Sequence, residues 1–178
     1  EVDNEAAEAF DALIAQYQSE QRWTDLRALL ERRADVALDS HLKLASLLHL
    51  AKLEEDMLGD ATRATAAHRR VLDLDAANTD AYAALDRIYT ESQQWAELEA
   101  LLARRADHVA SAPLLVDLAY RRAELWAHKL ADAGRSIDLI EDVLAKHRSH
   151  ADARELLEEL LTDPKASAVQ MRVARVLE

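Results

Sequence analysis

Seven histidines and 34 carboxylates are the side chains of this 178-residue sequence best suited to chemistry. A metal site needs three or four ligands that converge at fixed spacing. His147, His150 and Asp152 come nearest to it, but they straddle an expected turn, and no third nitrogen or sulfur ligand stands nearby. His41 and His49 are too far apart on one helix to share an ion, and the two-histidine zinc motif is missing. Capping or surface roles suit these histidines better, and no metal is expected. Adjacent acids such as Glu54-Glu55-Asp56 and Glu158-Glu159 could pair as general acid and base. That work requires a pocket that moves their pKa values, and these clusters read instead as solvated helix faces. Gly59 and Gly134 are the only glycines, too few for a phosphate-cradling loop, and neither a nucleophile elbow nor a triad pattern is present. The chain is therefore expected to be no enzyme, with neither catalytic residues nor a bound cofactor.

Charge narrows the partners. A net charge of −12 disfavours nucleic acid, whose phosphates call for clustered Lys and Arg, and disfavours anionic membrane surfaces for the same reason. Protein or peptide partners remain. The pairs Arg32-Arg33 and Arg104-Arg105 fall where helices should end, and there cations oppose the helix dipole. With no cysteine the chain has neither disulfides nor thiolate chemistry, which agrees with a cytoplasmic protein. No apolar run is long enough for a membrane span. The chain starts at Glu1, so it reads as processed or excised from something longer, and a targeting segment could have left with the rest. Arginine outnumbers lysine by 17 to 5 and alanine is abundant, as in GC-rich bacterial genomes.

The scarcity of glycine and proline, with Ala, Leu, Glu and Arg dominant, predicts an all-α chain. Ala9, Ala12, Leu13, Ile14 and Tyr17 form an apolar stripe on a first helix over about residues 4–19. Trp23, Leu26, Leu29 and Leu30 face inward on a second. Asp39 or Ser40 caps a long third helix, which Gly59 ends without left-handed strain. Asp60 caps a fourth with inner residues Ala61, Ala64, His68, Val71 and Leu72. From Asn78 the scheme restarts with Ala81, Tyr82, Leu85, Ile88 and Tyr89. Ser111 with Pro113 opens a seventh helix, and Asp132 caps the next. Ser149 with Asp152 resembles a capping box for a ninth, and Asp163-Pro164 opens a tenth.

That restart is a repeat. Residues 8–35 match residues 80–107 at 14 of 28 positions, and residues 51–75 match 123–147 at 8 of 25. Both matches have the same offset of 72, and so two subtypes of helical hairpin alternate, averaging 36 residues each.

In this respect the chain resembles the tetratricopeptide-repeat (TPR) family. Tyr82, Leu85, Tyr89 and Trp95 fall where that family places its first-helix aromatic, leucine, tyrosine and second-helix aromatic. Gly59-Asp60, Ala64 and Val71-Leu72 match the second half of a unit, as do Asp132, Ser136 and Val143-Leu144. Asp86 replaces the family's first-helix glycine, Leu26 and Leu98 replace a small residue, and Ala76 replaces a closing proline. These bulkier residues alter the superhelical pitch. The resemblance implies an α-α superhelix, a solenoid of about five antiparallel hairpins over residues 1–178 as one domain, itself a segment of a longer array or multidomain protein. Trp23 and Trp95 would plug the seams between hairpins. First helices line the concave groove of such proteins, so Arg87, Arg121 and Arg122 are the candidate partner-binding residues, able to pair with an acidic peptide or a terminal carboxylate. The expected function is a scaffold that binds a partner segment in the groove. The alternative is a regulatory or assembly module associating end to end through its terminal helices. Ser167, at the place of a third tryptophan, with Val169, Met171, Val173 and Val176 uncovered by a following hairpin, suggests the second.

Overall fold

The structure, a computed structural model, describes residues 2–162 and 170–177, with side chains at 8–162, 170, 171, 173 and 174. Every regular element among them is helical. In order these are α1 (Val2–Ser19), α2 (Trp23–Val36), α3 (Ser40–Leu53, continued by a wider π turn at Glu54–Leu58), α4 (Ala61–Leu74) and α5 (Thr79–Glu91). Then come α6 (Trp95–Asp107), α7 (Ala112–His128), α8 (Ala133–Lys146), α9 (Ala151–Thr162) and α10 (Gln170–Leu177). No described helix is long and apolar enough to cross a membrane. Asp163-Pro164, Ser167 and Val169 lie outside the described residues, as does the side chain of Val176.

The corners between helices repeat with the same 72-residue offset as the sequence. Among the described residues, positive φ occurs at Gln21 (54°) and Gln93 (56°), and at Gly59 (65°) and Ala131 (55°). At the first pair the chain turns tightly: Arg22 N–H donates to the Tyr17 carbonyl at 2.9 Å, and Gln94 N–H to the Tyr89 carbonyl at 2.8 Å. At the second pair the turn is wider, and Asp60 and Asp132 N–H reach back to the carbonyls of residues 54 and 126, both at 2.9 Å. The carboxylates of those two aspartates then cap α4 and α8 by accepting from the N–H of Arg63 and Arg135, each at 3.0 Å. Asp39, as expected, caps α3 through the N–H of His41 at 2.7 Å. The ninth helix departs from expectation. His150, not Ser149, caps α9, its Nδ1 accepting from Ala153 N–H at 3.2 Å.

Ala131 stands in the left-handed region that Gly59 occupies without a side chain. A non-glycine residue there costs about 1 kcal/mol. A Cβ on Gly59 would meet nothing within 4 Å, so Gly59→Ala isolates the backbone term. We expect Gly59→Ala to lose about 1 kcal/mol and Ala131→Gly to gain a similar amount, read from urea melts; effects of the same sign at both corners would refute the strain.

By its contacts the chain divides into two compact units, residues 1–88 and 89–178. In the first, consecutive helices pack: α1 on α2, α2 on α3, α3 on α4. Its core gathers Ile14, Leu26, Leu30, Leu50, Ala51, Leu53 and Ala67, with Tyr17 and Trp23 partly buried against it. In the second, α6 packs on α7, α7 on α8, α8 on α9 and α9 on α10, and α7 also touches α9. Its core holds Ala123, Ile137, Ile140, Val143, Leu156, Leu157 and Val173. Within each unit, the helices that pack most closely are neighbours in sequence, each covering its apolar stripe with the next.

Two expectations about burial need correcting. Of the first stripe only Ile14 is buried, while Ala9, Ala12 and Leu13 are exposed. Their counterparts Ala81 and Leu85 are fully buried. The tryptophans Trp23 and Trp95, expected to fill seams, are not sealed, although Trp23 packs against the first core. Each begins its helix and is half-buried, while Leu26 and Leu98, one turn further in, are the sealed residues.

Candidate functional site

Ionisable side chains gather where α3 widens into its π turn, a local geometry often found at functional positions. Glu54 opens that turn with no exposed surface, and both its carboxylate oxygens are buried without a hydrogen bond. Arg27 Nε is 3.9 Å from Glu54 Oε1, too far to donate to it. Burial pushes the Glu54 carboxyl above the usual carboxylate range; Arg27 and Arg63 oppose the rise, while Asp60 and Glu31 add to it. The acidic run Glu54-Glu55-Asp56 is thus no uniformly solvated face. Its first member points inward, and only Asp56 is fully exposed.

Glu55 ties three elements together. His68 Nε2 on α4 lies 2.7 Å from Glu55 Oε1, and Arg87 on α5 donates to the other oxygen. Because the carboxylate can only accept, Nε2 carries the proton. His68 is buried, as its place on the inner stripe of α4 predicted, and its Nδ1 has no partner. Desolvation pulls its pKa below the ordinary histidine value, which keeps the ring neutral. A neutral imidazole, a carboxylate and a guanidinium in a row form a lock on the π turn.

The second unit builds the equivalent place differently. Position 126, offset by 72 from Glu54, is a tryptophan whose indole N–H donates to Glu99 Oε1 at 3.2 Å. Glu99 stands where Arg27 stands in the first unit, and it also accepts from Arg122 Nε at 2.8 Å and Nη2 at 2.6 Å. The Arg135 guanidinium lies over the Trp126 ring, 4.4 Å from its centre, where the first unit has Arg63. An aromatic ring with a satisfied N–H thus replaces a buried carboxylate without hydrogen bonds.

Of the arginines picked out by sequence, Arg87 lies on α5 with its side chain half-exposed beside Glu55. Arg122 on α7 is largely covered and held by Glu99. Arg121, its neighbour on α7, is half-buried. Arg87 and Arg122 thus already face internal carboxylates, a pairing that spacing alone did not announce. His147 and His150 meet edge to ring at 5.7 Å, Tyr120 packs on His150 at 5.1 Å, and the His150 nitrogen facing α9 serves as a cap. Among the described residues no three potential ligands gather as a metal group.

No protein-family model matches this chain, and no curated protein does. Among solved structures it is similar to the crystal structure of MamA, with 13% identity and a TM-score of 0.46 over 90% of this chain and 92% of that one.

Proposed function

We propose that this chain is a non-enzymatic protein–protein interaction scaffold. Residues 1–178 would form one TPR-like solenoid of about five antiparallel hairpins, a segment of a longer protein, holding a partner segment in a concave groove. The observation that carries this reading is the recurrence of both corner types, with their caps and left-handed residues, 72 positions apart. Chains built this way expose long helical faces to partners. Arg87 on α5 and Arg121 and Arg122 on α7 would meet an acidic segment or terminal carboxylate. Such a ligand would compete with Glu55 for Arg87 and with Glu99 for Arg122.

Affinity capture from the source cells followed by mass spectrometry identifies the partner. Reversing charge at Arg87 and Arg121 is then expected to weaken its binding at least severalfold, with the loss shrinking at high salt. Unchanged affinity in both variants would move the site off these helices.

One observation favours end-to-end assembly of copies as a second reading. The exposed stripe Ala9, Ala12 and Leu13 on α1 matches residues that are buried at Ala81 and Leu85, and Met171 on α10 is 87% exposed. Sedimentation should then show mass rising with concentration, and Leu13→Glu should abolish the rise. A strict monomer at high concentration would remove this reading.

A further inference from the structure

A pocket of about 370 Å³ opens in the first unit between the end of α1, the start of α2 and the π turn of α3. Trp23, Leu26, Leu53 and Met57 form its apolar walls, and Gln18, His49, Lys52 and Asp56 its polar rim. Gln18 and His49 are joined across it at 3.0 Å, Nε2 to Nε2. The second unit shows what this architecture can hold. There Lys129 places its ammonium 5.1 Å from the centre of the Trp95 ring. Trp95 is the 72-residue counterpart of Trp23, and Lys129 is the counterpart of Met57. The second tryptophan therefore carries a cation supplied by its own chain, whereas at the first tryptophan a half-exposed methionine stands in the lysine's place.

We propose that the Trp23 pocket receives a lysine side chain from a basic segment of a partner protein. The four-carbon stem would lie against Leu26, Leu53 and Met57, as lysine stems do on apolar surface. Its ammonium would stand over the indole face, where the ring quadrupole attracts a cation, and would reach Asp56, an exposed carboxylate on the rim. Lys52 is the one rim residue that opposes a cation. Standing four residues before Asp56, it lies near that carboxylate on the helix surface, so an incoming ammonium would share Asp56 with it. His49 adds no charge near neutral pH, because burial, together with Arg33 and Lys52, lowers its pKa. The wider field favours a basic guest, since residues 1–88 contain 18 Asp and Glu against 10 Lys and Arg. None of its lining residues belongs to α5 or α7, so its test is distinct from that of the arginines.

The test is a titration of the full chain, ¹⁵N-labelled at its tryptophan indoles, with a capped peptide containing two lysines between glycines. Indole signals are assigned by single Trp→Phe variants. The expected result is a saturable shift of the Trp23 signal, with the Trp95 signal still. A peptide with norleucine for lysine should bind at least tenfold more weakly. Met57→Lys, which supplies in the first unit the cation that Lys129 supplies in the second, should weaken lysine-peptide binding at least tenfold. Asp56→Asn should weaken it severalfold. A Trp23 signal that ignores the lysine peptide overturns the proposal, as does equal binding of the norleucine peptide. Met57→Lys that keeps its helical circular dichroism and still binds like the parent would do the same. Butylammonium bound as tightly as the peptide would make this a small-amine site instead, and a Trp23 shift on concentrating the protein alone would make the guest a second copy.

Discussion

Replacing Glu54 by methionine is expected to raise the unfolding free energy by about 1–4 kcal/mol near neutral pH, the range seen when buried charge gives way to well-packed apolar side chains. The gain is large because Glu54 loses its hydration on burial and receives no hydrogen bond in return. Arg27, 3.9 Å away, keeps 27% of its side-chain surface and can be hydrated without the carboxylate. The pH dependence runs opposite to that of most carboxylates. The folded-state pKa of Glu54 lies above its unfolded value of 4.5, so its penalty is in full force above the folded pKa and disappears below the unfolded one. The advantage of Glu54→Met should therefore shrink as pH falls toward 4.5 and below. Urea melts of the two proteins across that range test this. A variant less stable than the parent at pH 7, or an advantage that grows in acid, would show that Glu54 is stabilised by contacts other than those described.

The second large effect lies one turn into α6. Leu98→Ala is expected to lose about 2–5 kcal/mol, because the side chain is sealed and its removal leaves a cavity. Trp95→Ala, three residues earlier, is expected to lose only about 1–2 kcal/mol despite the larger side chain, since area that stays in water contributes nothing. Thermal or urea unfolding of both variants decides the order. A tryptophan substitution as costly as the leucine one would return Trp95 to the core.

The contrast between these residues shows how far sequence reading reaches. Helix positions, most caps and the repeat length were legible because each rests on local periodicity or on one side chain meeting the next turn's amide. Asp39, Asp60, Gly59 and Asp132 act as their types and positions require. The depth at which a residue sits is not local. Trp95 recurs with the repeat, which makes it look like a plug, but a residue at a helix start lies at the rim of the packed layer. Its side chain stays part-exposed, with the Lys129 ammonium 5.1 Å from the centre of the ring. Leu98 recurs as faithfully, as the counterpart of Leu26 on the inward stripe of the second helix, and one turn in from the helix start it is sealed.

Glu54 was hidden for a different reason. Set beside Glu55 and Asp56 it reads as one of three surface acids, and a single helix offers no clue that its first turn widens. The signal lay in the repeat itself, which puts Glu54 opposite Trp126, a residue type that is seldom left in water. The arginines show the same limit from the other side. Their place on α5 and α7 was legible, but the partners of Arg87 and Arg122 lie 32 and 23 residues away in the chain, on elements that only folding brings near.

The backbone at Arg22 (φ −84°, ψ 67°) and at Gln94 (φ −84°, ψ 71°) is nearly superimposable, and the turn after α3 has a different bonding pattern. Length can therefore change by 72 residues but not by 36. Splicing out residues 23–94 would join Arg22 to Trp95 at a corner both already know, whereas deleting one hairpin alone would ask a tight bend to serve a wide one. Growth or shrinkage of such a chain over evolutionary time would accordingly proceed by hairpin pairs, and engineered variants should be cut at the same joints.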